Sequence, residues 1–424
     1  MTSLTNTLDS YTPQGIFKDL SMLREDYIPE LIHYRSDLMK VLAQKVYAPP
    51  LARRPSSHIF VYGSSGTAKT LINKYWMHEL HKESEKKEIN ARCFYLNCSE
   101  LTNQTEAAQE LYSQVSENVP RRMGLKYYTD HFFEIIDKKY KFVIIILDEA
   151  EKILKKKDED RLFYILLRNR ELEKCKNVWV TLVVISNRMN LKELLCEGTQ
   201  SSFGINWLFF PRYTSRQLFN ILEDRTKLAF NESVISSDIV HQIAEYTNQL
   251  GGDARLAISY LKETGLIAEE KKAKKVGVED FEEAKRILEE KAIMQELANL
   301  SKSEKLVYFS VAVAVTYNKK HTNQQKADVP LIYDIYIQLS KKMRLDNLSE
   351  RHIRNHLEKI KNTDLIMKML EKGKYYYAPI YSLDLILKTM ELFEKKHNVK
   401  LKEVFGEIMK YDQDKQLIGD IQDS

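Results

Sequence analysis

Short apolar runs that stop abruptly in polar or glycine-containing sequence alternate with amphipathic stretches through the first half of the chain. Ile59-Phe60-Val61-Tyr62 and residues 93–98, 142–147 and 178–185 read as strands, and the unbroken run at 142–147 suits a strand buried on both faces. Phe209-Phe210 reads as the tail of a fifth strand. Segments at 71–76, about 104–115 and 128–137 have helical spacing, so a parallel α/β sheet flanked by helices is predicted. From Thr214-Ser215-Arg216-Gln217, a capping box, the pattern is helical to about residue 299, with Leu218, Ile221 and Leu222 as the first apolar stripe. Residues 331–342 and 350–362 give two more helices, the second turning Ile353, Leu357 and Ile360 inward. Leu365-Ile366-Met367, a Lys372-Gly373-Lys374 turn and Tyr375-Tyr376-Tyr377 form a hairpin, and helix–turn–helix plus basic hairpin predicts a winged helix. The expected division is an N-terminal tail (1–20), a nucleotide-binding α/β domain (21–212), a helical lid (213–299), a winged helix (300–395) and a C-terminal helix and tail (396–424).

Chemistry concentrates where the strands end. After the first strand, Gly63-Ser64-Ser65-Gly66-Thr67-Ala68-Lys69-Thr70 has the spacing of a P-loop opening a helix, which aims backbone N–H groups at a phosphate chain. Lys69 is expected on the β- and γ-phosphates of ATP or ADP, and the Thr70 hydroxyl on Mg²⁺. Ala68 departs from the usual glycine and is expected in ordinary helical backbone. The 142–147 run ends in Asp148-Glu149, two carboxylates at the carboxyl end of a buried strand. Asp148 suits the Mg²⁺ shell, and Glu149 suits polarising an attacking water. Asn187, ending the fourth strand, can touch the γ-phosphate or its water. Tyr27, Ile28 and Pro29 are placed for either an apolar adenine pocket or a simple capping segment. Asp253 suits a helix N-cap, with Arg255 in the first turn as a phosphate-directed or a surface cation.

Composition narrows the class. The 424 residues are 43% hydrophobic and 29% charged, as in a soluble globular protein of two or three domains. Four scattered cysteines without a Cys-x-x-Cys pair point to free thiols in a reducing compartment. No apolar run reaches the length of a membrane span, so a cytoplasmic, nucleoid-associated protein is expected. The formal charge is only +5, but residues 301–383 carry about 15 Lys and Arg against about 8 Asp and Glu. There Ser349 caps the second helix, and Arg351, Arg354, Asn355, Lys359, Lys361 and Asn362 occupy its outer face and flanks. Ser349, Arg351, Arg354, Asn355, Lys359 and Lys361, with Lys372 and Lys374 at the hairpin tip, are the expected DNA contacts: the helix reads the major groove and the hairpin rests on backbone.

These parts in this order resemble the archaeal replication initiators of the origin-recognition/cell-division-control type, AAA+ proteins with a C-terminal winged helix. The resemblance rests on Asp26-Tyr27-Ile28-Pro29 ahead of His33, the P-loop, Leu96-Asn97-Cys98, Pro120-Arg121-Arg122 and Leu147-Asp148-Glu149. It continues through Ile185-Ser186-Asn187, Ser201-Ser202-Phe203-Gly204, Phe210-Pro211-Arg212-Tyr213 and Gly252-Asp253-Ala254-Arg255. It implies that Asn187 is sensor 1, Arg255 is sensor 2, Tyr213 joins the nucleotide contacts, and Arg121 and Arg122 touch DNA from an initiator-specific insertion. It further implies a slowly hydrolysing, ATP-bound initiator whose partners are double-stranded origin DNA, the replicative helicase and paralogous initiators. Against the family pattern, Tyr34 stands where Arg follows His33, Glu151 replaces an Asp, Met123 interrupts an Arg-Arg-Gly run, and Thr199-Gln200 lacks a finger-like cation. Two other readings stay open on these residues: a clamp-loader or transposition-type AAA+ ATPase, and a nonhydrolytic winged-helix regulator with a vestigial nucleotide site.

Overall fold

The computed structural model describes every residue except 1–14, 25–26, 30–31, 155, 158, 343–346, 362, 364, 383–384, 387 and 390–424. Most of the expected N-terminal tail, Asp26, Glu30-Leu31, Asp346, Asn362 and the expected C-terminal helix and tail therefore lie outside the described residues. The chain divides into two compact units, Met1–Phe281 and Glu282–Ser424.

The first unit is built on a sheet of five parallel strands among the described residues. After a short helix α1 (Ser36–Leu42) come β1 (Ile59–Tyr62), α2 (Lys69–Lys86), β2 (Ala91–Asn97), α3 (Gln104–Ser113), α4 (Leu125–Lys139) and β3 (Phe142–Asp148). Then follow α5 (Arg161–Leu167), β4 (Trp179–Ser186), α6 (Glu197–Phe203) and β5 (Trp207–Phe209). The spatial order is β2-β3-β4-β1-β5. All seven residues of β3 are buried, because helices cover both faces of a central parallel strand. The register pairs Asn97 with Asp148 across β2–β3 and Tyr62 with Ser186 across β1–β4. The carboxyl ends of β1, β3 and β4, the central strands, thus finish at one level, where ligands of such sheets bind.

The same unit continues with three helices: α7 (Ser215–Ala229), α8 (Ser237–Gln249) and α9 (Ala254–Glu270). The Thr214–Gln217 capping box forms as expected, and Asp253 caps α9 by accepting from the N–H groups of Arg255 and Leu256. A helix α10 (Val278–Asn299) begins in this unit, with Phe281 against Tyr246 and Tyr260.

In the second unit, Ile293, Leu297 and Leu300 join one core with α11 (Lys302–Thr322), β6 (Ala327–Asp328), α12 (Val329–Lys342), α13 (Glu350–Lys361), β7 (Ile366–Glu371) and β8 (Lys374–Pro379). The structure thus divides at 281/282, where the sequence pattern had suggested 299/300. The unit is a winged helix: α11, α12 and α13 pack over a three-stranded antiparallel sheet of order β6-β8-β7. The wing turn at Lys372-Gly373 has positive φ at both residues, 47° and 77°, the twist-matched turn of a two-residue hairpin. Helix α11 and strand β6 escaped sequence reading. α11 is apolar almost all round, hence without amphipathic period, and β6 is two residues long. No described helix is long and apolar enough to cross a membrane.

Candidate functional site

The P-loop links β1 to α2 and lines a cavity of about 680 Å³. Tyr27, Ile28, Pro29, Gly66, Thr67, Ala68, Lys69, Thr70, Asp148, Glu149, Tyr213 and Arg255 all border it. Gly63, Ser64, Ser65 and Asn187 do not border it. The carbonyls of Gly63 and Ser64 instead accept hydrogen bonds from Lys69 Nζ at 3.0 and 2.7 Å. Lys69 is only 4% exposed, and burial pulls its pKa down to about 8 against the opposing pull of Asp148.

Beside it, Thr70 Oγ1 donates to Asp148 Oδ2 at 2.6 Å, and Tyr95 OH donates to the same oxygen at 2.9 Å. Burial, and then Asp148, raise the Tyr95 phenol pKa, so it remains a proton donor. Glu149 follows in left-handed backbone (φ 53°), its N–H on Asp148 Oδ1 at 2.9 Å. Burial raises its pKa, and the neighbouring Glu151 and Asp148 carboxylates add to that. Glu151 accepts from the Asn187 N–H at 3.3 Å, so the fourth strand's end is tied to the acidic turn.

Ala68 corrects the sequence expectation. It is not helical: φ is 72° and ψ 18°, left-handed backbone. The conformation is fixed from both sides. The preceding carbonyl, of Thr67, accepts from Arg35 Nε at 3.2 Å, and the Ala68 carbonyl accepts the Ile72 N–H at 3.0 Å to start α2. The chain turns between these bonds through the positive φ of Ala68.

The lid lies over the same cavity. Ala254 N–H donates to the Gly66 carbonyl at 3.2 Å, and Arg255 Nη2 donates to Ser65 Oγ at 3.3 Å. The apolar end of the cavity is formed by Ile28, Pro29, Ile32, Ile221, Leu228 and Ile258. Arg225 lies over the Tyr27 ring at 4.3 Å, and His33 pairs with Asp224 of α7. Sequence reasoning missed Arg35, Tyr95, Asp224 and Arg225, which belong to no motif. Only Tyr95 carried a signal: a phenol at a strand's carboxyl end between buried Phe94 and Leu96. Arg35 is the buried cation, 3% exposed and 3.8 Å from the Tyr213 ring centroid.

These residues fit a nucleotide. A helix N-terminus and an ammonium group face the phosphate end, and an apolar wall suits a base. The Thr70 hydroxyl and Asp148 carboxylate are hard oxygen donors suited to a divalent cation shared with phosphate. Among the described residues, no group of three or more His, Cys, Asp or Glu could hold a metal by itself.

In the second unit, α13 exposes Arg351, Arg354, Asn355, Lys359 and Lys361, and the wing tip exposes Lys372 and Lys374. Ser349 is occupied as a cap, with its Oγ on the His352 N–H and ring. Arg354 pairs with Glu350 at 2.5 Å, and Lys359 with Glu304 at 2.5 Å. Glu304 is 3% exposed and also forms the capping box with Ser301. Burial alone would raise its pKa; Lys359 and the Ser301 cap outweigh that and bring it to about 2. In the first unit, Arg121 and Arg122 are exposed on a loop that Tyr128 pins, its OH donating to the Pro120 carbonyl at 2.9 Å and accepting from the Met123 N–H at 3.1 Å.

A parallel sheet with a P-loop after β1, an acidic pair after β3 and a helical lid over the cavity is an AAA+ ATPase, which binds nucleotide with a divalent metal. Residues 52–189 match the AAA domain family, and residues 219–286 match the Cdc6 AAA+ ATPase-type lid domain. The chain is 30% identical over 367 residues to the ORC1-type DNA replication protein 1 of Methanosarcina mazei, covering 85% of this chain and 86% of that one. It is also 30% identical over 366 residues to the ORC1-type DNA replication protein of Thermococcus kodakarensis, with coverage of 85% and 86%. Among solved structures it is similar to the Aeropyrum pernix ORC1 protein in complex with DNA, with TM-score 0.75, 25% identity, and 88% and 96% of the two chains covered. The chain belongs to the ORC1-type DNA replication proteins, and its role lies in the initiation of DNA replication.

Proposed function

We propose that the chain is an ATP-switched initiator that binds origin duplex DNA and helps recruit the replicative helicase, turning over ATP slowly. One observation carries the reading: a site built for nucleotide and a cation-bearing recognition helix with a basic wing occur in one chain. Similarity to an ORC1 protein solved on DNA supports it.

Lys69 exchanges its loop carbonyls for phosphate oxygens, which takes little rearrangement because the ammonium is already desolvated. Thr70 and Asp148 hold Mg²⁺, which neutralises phosphate charge when bound. Tyr95 orients the Asp148 carboxylate, and Glu149 positions the water. Asn187, fixed through Glu151, reaches toward the γ-phosphate, and Arg255 leaves Ser65 for the phosphates as the lid closes. Arg351, Arg354, Asn355 and Lys361 face the major groove, Lys372 and Lys374 track the backbone, and Arg121 and Arg122 add contacts from the AAA+ domain.

The test is fluorescence anisotropy of origin-region and random duplexes over a salt range, with and without ATP, on wild type and Lys69→Ala. Preference for the origin duplex that depends on ATP and is lost in Lys69→Ala is the expected result. DNA binding indifferent to both ATP and the substitution would sink the switch. No binding at all would assign the winged helix to a protein partner.

A further inference from the structure

The segment Phe210–Tyr213, which joins the sheet to the lid, lies between the P-loop and the lid at backbone contact on both sides. A Cβ built on Gly63 would stand 2.3 Å from the Phe210 carbonyl oxygen, and one on Gly252 would stand 2.4 Å from the Tyr213 carbonyl oxygen. No side chain fits on either side, so the segment cannot shift without moving one neighbour or the other.

Two arginines then fasten this segment to the two shoulders of the phosphate loop. Arg35 spans one side: Nε donates to the Thr67 carbonyl at 3.2 Å and Nη2 to the Pro211 carbonyl at 2.6 Å. Arg212 spans the other, with Nε on Ser64 Oγ at 3.0 Å. Its guanidinium also lies against the lid turn, where a Cβ on Gly251 would be 3.2 Å from Nη1. The two anchored residues are the ones that shape the phosphate end. The Ser64 carbonyl accepts from Lys69 Nζ at 2.7 Å and from Thr67 Oγ1 at 2.9 Å. A displacement of the lid turn thus passes through Arg212 to Ser64 and on to the catalytic ammonium.

We infer that Arg35 and Arg212 are positioning residues that make the shape of the phosphate loop depend on the position of the lid. Neither needs to touch nucleotide. Arg35 sets the loop's inner shoulder and is too buried to respond to solvent. Arg212 is exposed and is the adjustable half of the clasp. The inference rests on the nucleotide-switch reading and names how that switch is transmitted.

The experiment measures dissociation of a fluorescent N-methylanthraniloyl-ADP from the full chain, with Mg²⁺ present, for wild type, Arg212→Ala, Ser64→Ala, the double variant and Arg212→Lys. Melting temperature is measured alongside without nucleotide. Arg212→Ala is expected to release the probe about tenfold faster, the loss of one charge-assisted bond. The double variant should be no faster than either single one, and Arg212→Lys should recover part of the loss. Because Arg212 is exposed, its variants fold even where Arg35→Met does not. A release rate unchanged in Arg212→Ala, or strictly multiplicative effects with Ser64→Ala, overturns the clasp while leaving the nucleotide site intact. Failure of the wild type to bind the probe overturns the nucleotide reading and the clasp with it.

Discussion

Replacing Ala68 by Gly tests the one strained backbone position inside the phosphate loop. Ala68 holds φ 72° and ψ 18°, where a Cβ costs about 1–2 kcal/mol. Glycine removes that cost, but its freer unfolded chain gives back about 0.5–1 kcal/mol. The net expectation is a gain of about 0.5–1 kcal/mol. In a folding unit of this size that raises the melting temperature by about 1–4 °C. Nucleotide affinity should change by less than about threefold, because the bonds from Arg35 to Thr67 and from Ile72 to Ala68 hold the turn whatever occupies position 68. The assay is scanning calorimetry of Ala68→Gly and Ala68→Val with and without Mg-ADP. Valine, β-branched at positive φ, should melt below wild type. If Ala68→Gly melted lower than wild type, the residue would not be left-handed in solution, and the loop would be organised as its sequence first suggested.

Two further outcomes follow from the second unit. Arg351→Ala should cost about 1–3 kcal/mol on the preferred duplex and relax sequence preference, whereas Lys374→Ala should weaken all duplexes alike and lower the salt slope by about one; anisotropy over a salt range separates them. Glu304 has a folded pKa of about 2, below its unfolded value, so its stabilisation is complete above that unfolded value and is lost as pH falls toward 2. Glu304→Gln should flatten the acid limb of a denaturation curve in that window, and Glu304→Ala should also remove the capping box, costing about 2 kcal/mol near neutral pH.

The elements that could be read from sequence are those whose residues interact with near neighbours or repeat with a clean period. β1, β3 and β4 announced themselves because both faces are buried, and the β3 run ends in a chemically different residue, Asp148; β2 is only partly buried and β5 not at all, and of β5 only the tail was legible. The wing announced itself through Lys372-Gly373-Lys374. What stayed hidden depends on partners distant in the chain. Arg35 finds Pro211 and Tyr213, Tyr95 finds Asp148, and Arg225 finds Tyr27. The positive φ of Ala68 was hidden because alanine at that position reads as ordinary helical backbone. Asn187 was placed at the right strand end, yet only the structure shows its backbone tied to Glu151, whose extra methylene relative to Asp lengthens the reach to that N–H.

The cations of α13 are not equivalent, and magnitudes separate them. Arg354 is half exposed and pairs with Glu350 one turn away, an interaction worth about 0.3–0.5 kcal/mol, so a phosphate or a base edge easily outbids it. Lys359 meets a carboxylate whose side chain is only 4% exposed and which caps α11. Withdrawing the ammonium would leave Glu304 buried with only the Ser301 cap and His356, at 3.5 Å, as partners, a cost that opposes lending Lys359 to a phosphate. Lys359 therefore holds the recognition helix against α11 and lends DNA at most its spare donors. Glu358 is on the outer face, yet Lys368 reaches it at 2.5 Å and Tyr377 OH at 3.3 Å from the wing. Its charge is neutralised before any phosphate approaches, and helix and wing are bound together as one surface. On the proposed DNA-binding reading, the residues of α13 left for the groove are Arg351, Asn355, Lys361 and, once released from Glu350, Arg354.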